Sequence, residues 1–115
     1  MKTDSASLHD ILAAMRSVVG FVSGRTLAQF AADDLVSAAV ERRIEVMGEA
    51  TKRLSMALRE AHPEIPWRKM AGMRDLLIHA YDDIEADVVY DAVTKIIPPL
   101  IAKIEAIIQT LPDPE

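Results

Sequence analysis

The sequence predicts an all-α fold: an antiparallel bundle of four main helices joined by short helical turns, with a kink in the last helix. Three observations predict it. Apolar residues recur at helical spacing through every long segment. No segment alternates with a period of two. Capping residues, glycines and prolines fall at the ends of the apolar stripes. At 115 residues the chain suits one domain, since a single core typically serves about 100–200 residues. That domain is expected over residues 1–111, with 112–115 a frayed tail.

In the first helix, Leu8, Ile11, Leu12, Met15, Val18, Val19 and Val22 follow the i, i+3, i+4, i+7 rule. Ser7 followed by Asp10 resembles a capping box, and Gly24 offers a left-handed stop. Thr26 and Gln29 repeat the capping pattern for a short turn through Phe30. Asp33 or Asp34 then caps a long helix whose stripe includes Leu35, Val40, Ile44, Met47, Leu54 and Leu58, ending before His62-Pro63. As one helix from 34 to 61 it would span roughly 42 Å. Pro63-Glu64-Ile65-Pro66-Trp67 reads as a stiff connector with Trp67 a core plug, and Pro66 suits the first turn of the next helix. That helix runs through Met70, Met73, Leu76 and Leu77 towards Tyr81, and Asp82-Asp83 reads as a turn and a cap. Met47, Met56, Met70 and Met73 are expected in packing. In the last helix Pro98 cannot donate to the carbonyl of Thr94, so a kink or a split is expected there.

Composition narrows the chemistry. The chain has no cysteine, which excludes disulfides, zinc ribbons, iron–sulfur clusters and thiol nucleophiles, and suits a reducing cytoplasm. Asp4, Asp10 and Arg16 interrupt the first twenty residues, so no targeting segment is expected. The most apolar stretch, 96–108, is broken by Pro98-Pro99, Lys103 and Glu105 and is too short for a membrane span. The net charge is −5, but it is unevenly spread: −2 over residues 1–41, +3 over 42–79 and −6 over 80–115. The basic middle third is where a phosphate would be tolerated.

His9, His62 and His79 are far apart, and no pair has the i, i+4 spacing of a helical metal site. A calcium loop starting at Asp83 would need Gly and Glu where Val88 and Thr94 stand. No metal and no cofactor are therefore expected. What stands out is Met73-Arg74-Asp75-Leu76-Leu77-Ile78-His79-Ala80-Tyr81. Arginine and histidine together suffice for metal-free RNA cleavage, because the 2′-hydroxyl is a nucleophile already held beside its phosphate. Histidine can take or give the proton. Arginine can bind the phosphate and its developing charge. On an ideal helix Arg74 and Tyr81 lie within about 20° of each other, and Asp75 can orient His79 from i, i+4. Arg74 and His79 are about 140° apart. The helix must therefore end or distort near His79, or a second subunit must complete the site.

The sequence resembles the HepT-like toxins of the HEPN superfamily. The resemblance rests on Ala38-Ala39-Val40-Glu41-Arg42, Ile44-Glu45-Val46-Met47-Gly48-Glu49-Ala50 with Arg53-Leu54, Pro63-Glu64-Ile65-Pro66-Trp67, and Gly72-Met73-Arg74-Asp75 with His79 and Tyr81. The last set matches the family's Arg-x4-His-x-Tyr signature. Asp82 stands where the family often has an aromatic residue. The resemblance implies a HEPN-like fold and a homodimer whose signature helices meet at a cleft. It implies that Arg74 and His79 cleave RNA, with Asp75 as a supporting polar neighbour. It also implies an antitoxin partner, a nucleotidyltransferase of the minimal MNT type, that attaches AMP to Tyr81.

Two readings follow. One is a dimeric, metal-independent endoribonuclease toxin. The other is a catalytically silent helical dimer that scaffolds or regulates a nucleotidyltransferase. Intact Arg74 and His79 favour the first.

Overall fold

A computed structural model describes residues 2–79 and 86–112; of 74–79 it describes the backbone. The expected turn and cap at Asp82-Asp83, and residues 113–115 of the tail, lie outside the described residues. Every described element is helical. In chain order they are α1 (Asp4–Val22), α2 (Leu27–Ala32), α3 (Asp34–Lys52), α4 (Met56–Ala61), α5 (Trp67–His79), α6 (Ala86–Asp91), a π-helical turn (Ala92–Ile96) and α7 (Ile97–Gln109). None of the described helices is long and apolar enough to cross a membrane.

Helix α1 is the centre of the bundle. It packs on α3, α7 and the π turn, and its Leu8, Ile11, Met15 and Val18 are buried in one continuous core. It begins earlier than the Ser7–Asp10 pattern suggests. Thr3 is the N-cap, its hydroxyl accepting from the Ala6 N–H at 3.1 Å. Ser7 therefore falls inside the helix, buried. At the other end Gly24 adopts φ +78°, the left-handed geometry that only glycine enters freely. The Thr26–Gln29 capping box forms as expected, with reciprocal bonds of 3.1 and 2.9 Å. Phe30 on α2 is buried against Tyr90 of α6, ring centres 5.9 Å apart, and the Tyr90 hydroxyl donates to the Arg25 carbonyl.

The single helix expected over 34–61 is two helices. Asp33 caps α3 through the Val36 N–H at 3.0 Å, and α3 ends at Lys52. The Ser55 hydroxyl then accepts from the Leu58 N–H at 3.2 Å and starts α4. The Asp4 carboxylate fixes Ser55 in turn, accepting from its N–H at 2.9 Å and its hydroxyl at 2.6 Å. Arg59 reaches back and donates to the carbonyls of Thr51 and Lys52 at 2.8 and 3.0 Å. Terminal carbonyls of a helix must find donors somewhere, and here α4 supplies one.

The break also corrects two burial expectations. Once Asp33 sets the register of α3, Val36, Val40, Ile44 and Met47 share one face, and position 35 lies about 140° from Val40. Leu35 is 82% exposed. Met56 is 69% exposed, because α4 buries Leu58 instead. Met47, Met70, Met73 and Trp67 are buried as expected. The prolines split the last helix as expected: the π turn ends at Ile96, and Pro98 and Pro99 occupy the first turn of α7, where their missing N–H groups cost nothing.

Ser55→Ala removes both the cap of α4 and the donor to Asp4. It should lower the unfolding free energy by about 1–2 kcal/mol, read from urea denaturation. An unchanged midpoint would show that the α3–α4 break is held by something else.

Candidate active site

The signature residues stand on α5, whose rotation is set by what precedes it. The connector after α4 is tied down by short backbone bonds. Ile65 donates to the His62 carbonyl at 3.2 Å, Trp67 to the Ile65 carbonyl at 2.9 Å, and Met70 to the Pro66 carbonyl at 3.0 Å. The Trp67 indole N–H also donates to the His62 carbonyl, at 2.9 Å. With Ile65 and Trp67 both buried, the connector enters α5 at a fixed angle. Pro66 therefore sits immediately before the helix.

Trp67, Met70 and Met73 are the buried residues of α5 before position 74, and they fall within about 120° of one another on the helix. The helix packs on α3, where Met47, Ala50 and Thr51 are buried. Among the described residues no other element packs extensively on α5. The register of each signature position can be read from Met70. Arg74 lies about 40° round the axis from it, Asp75 about 140° and His79 about 180°. Arg74 is thus on the edge of the α3-facing side. Asp75 and His79 are on the side away from it.

The α-helix is unbroken from Arg74 to His79. The distortion that would have turned the two residues onto one face does not occur between them. Within one chain they remain about 140° apart, separated along the axis by about 7.5 Å. Tyr81 lies outside the described residues. Gly72, on the same side of α5 as His79, has no neighbouring atom within 4 Å of where a Cβ would stand. The other two histidines are elsewhere: His9 on α1 bonds the Ser5 carbonyl at 2.9 Å, and His62 in the connector faces Glu64 at 3.5 Å. Among the described residues no three His, Asp or Glu side chains gather as a metal site.

The surface beside this helix is basic: Arg68 and Lys69 are exposed in its first turn. Arg59, part of the sequence's basic third, acts structurally as the donor to the end of α3. Nothing in its sequence neighbourhood signals that. A small groove formed by α2, α3 and α6 includes Phe30, Ser37, Glu41 and Val89. Burial, and secondly the nearby charge of Glu45, hold the Glu41 carboxyl above the usual carboxylate range.

Comparison with known proteins assigns the family. The profile of the family described as ribonuclease HepT-like matches residues 11–107. A protein of Caldanaerobacter subterraneus subsp. tengcongensis that carries a provisional RNase name is 35% identical over 109 residues, covering 95% of this chain and 97% of its own. A probable ribonuclease HepT of Thermococcus cleftensis is 40% identical over 98 residues, covering 85% and 89%. A provisionally named RNase of Methanocaldococcus jannaschii is 38% identical over 106 residues, covering 92% and 88%. No solved structure matches the chain at a significant level.

Met70 is fully buried at the centre of the described α3-facing side of α5, so it should contribute strongly to the attachment of that helix. Met70→Ala should cost about 2–5 kcal/mol in chemical denaturation. A loss well under 1 kcal/mol would mean that other contacts hold the signature helix.

Proposed function

The chain belongs to the ribonuclease HepT-like family, and from that premise we propose that it is a metal-independent endoribonuclease, the toxin of a toxin–antitoxin pair. The observation that carries the proposal is the ordered set Arg74, Asp75, His79 and Tyr81, the first three on α5, in a chain that matches that family over residues 11–107.

In the proposed reaction the His79 imidazole takes the proton of an RNA 2′-hydroxyl. The freed oxygen attacks the adjacent phosphorus, and the bond to the 5′-oxygen breaks. That oxygen leaves with a proton from the second His79 of a dimer. The products are a 2′,3′-cyclic phosphate and a 5′-hydroxyl. Arg74 holds the non-bridging phosphate oxygens as their charge builds; its fork matches them and it is charged at every working pH. Asp75, one turn before His79, is placed to orient the imidazole.

The proposed dimer is supported by an argument from helix geometry. Positions about 140° apart on an unbroken helix cannot both face one substrate phosphate from a single chain. A two-fold contact brings two copies of each into one cleft. Among the described residues, the open space at Gly72 and the lack of a second extensive neighbour for α5 support that contact. Control is proposed to act through Tyr81, where a nucleotidyltransferase antitoxin attaches AMP. At i+7 from Arg74, the added phosphate would meet the guanidinium meant for substrate.

His79→Ala and Arg74→Ala should each slow RNA cleavage by at least about a hundredfold while circular dichroism stays unchanged, and chelator should leave the parent rate intact. Inhibition by chelator would sink the metal-free mechanism. Sedimentation should give a dimer at micromolar concentration; a stable monomer would remove the shared cleft.

Tyr81→Phe should stay active and escape the antitoxin. Mass spectrometry after co-expression should find AMP on Tyr81 alone. Neutralisation without any AMP would leave simple masking by the partner as the better account.

A further inference from the structure

Of the seven arginines whose side chains are described, four reach a carboxylate, and Arg43, Arg59 and Arg68 reach none among the described residues. Arg16, Arg25, Arg42 and Arg53 each reach a carboxylate, at 3.0–3.4 Å. Arg68 and Lys69, exposed in the first turn of α5, have no carboxylate partner among the described residues. They line a groove of about 720 Å³ with Arg59, Pro63, Ile65 and Pro66. Among the described residues no acidic side chain lines it. Arg59 adds its charge while its guanidinium is committed to the carbonyls ending α3, and its Nε is buried without a partner.

Arg68 and Lys69, without a carboxylate partner among the described residues, repel each other and the nearby Arg59, and no described contact offsets that repulsion. The two suit an anion that comes from outside. Position 68 also shares a side of α5 with His79: eleven residues bring the helix back to within about 20°, some 16 Å along the axis. A chain of phosphates engaged at His79 and running along α5 would meet Arg68 and Lys69 a few nucleotides away.

We infer that Arg68 and Lys69 form a phosphate subsite that holds the RNA backbone at a distance from the cleaved bond. This rests on the ribonuclease reading given above. The groove positions RNA without touching the reacting phosphate, so it acts on binding and leaves the chemical step alone. The pairing is with phosphate and not with base edges, so it carries no sequence preference of its own.

The test is the double variant Arg68→Gln/Lys69→Gln, both sites being exposed and outside the core. In a His79→Ala background, a single-stranded RNA of about 16 nucleotides should bind roughly tenfold more weakly at 0.1 M salt. The slope of log affinity against log salt should become shallower by about 1.4, as expected for two lost phosphate contacts on a single strand. In the cleaving protein, KM for the same RNA should rise while kcat holds. Lys103→Gln, which removes an exposed cation on α7, should change neither. Unchanged affinity and slope in the double variant would overturn the subsite. If that variant instead lost only its response to the antitoxin, the groove would be a site for an acidic protein surface and the inference would be wrong. A parent protein that bound RNA through these residues but cut none would leave the subsite standing and remove the ribonuclease reading. One that cut RNA with no effect of the double variant would do the reverse.

Discussion

Helix α5 is held to the rest of the molecule by one face. Trp67, Met70 and Met73 are buried there, each worth about 1.5–3 kcal/mol when fully removed from water, and α3 is the neighbour that receives them. Everything the signature residues do depends on that seating, because it fixes the rotation of the helix that carries them. A slip of one residue would turn each position by about 100°. The buried side chains are large and differently shaped, so such a slip would both open voids and force overlaps. The seating is therefore a register lock as much as a source of stability.

The lock reaches further than α5. Its entry angle comes from the connector, and the connector starts where α4 ends. Helix α4 in turn exists as a separate element because Ser55 caps it and Asp4 holds Ser55. The first turn of the chain thus helps decide where the signature helix begins, through a carboxylate fifty-one residues away from its partner. Arg59 closes the same junction from the other side. These bonds replace ones the backbone would otherwise make with water or lose, so the break in the long helix leaves few groups unsatisfied.

How much of this was legible in the sequence depended on range. Local devices were readable: the Thr26–Gln29 box, the left-handed turn at Gly24 and the split at Pro98-Pro99 all involve residues within four positions of one another. The division of residues 34–61 was not. Leu54 and Leu58 continue the stripe of α3 on paper, and the reason for the break lies in a contact with Asp4 that no local pattern contains. Leu35 and Met56 were misread for the same reason, since their burial depends on registers set by Asp33 and Ser55. The family was legible because a spaced motif travels with its context. The completeness of the site was not, since the sequence left open whether the helix bends before His79. It does not: the helix backbone is unbroken from Arg74 to His79, which leaves the two positions about 140° apart round its axis.

A chain of net charge −5 is an unpromising binder of a polyanion if only the total is counted. The total is misleading here. The acidic excess belongs to residues 80–115, and the cations of α1 and the loop before α2 are largely spent on carboxylates within their own neighbourhoods. At physiological salt a charge is felt over about 8 Å. A phosphate at the start of α5 therefore meets chiefly the groups within a turn or two of it. At the start of that helix the cations are Arg68 and Lys69, which have no carboxylate partner among the described residues. The molecule keeps its overall acidity, which favours solubility, and its local basic surface on the same helix as the motif. Separation of charge along the chain lets one small domain do both.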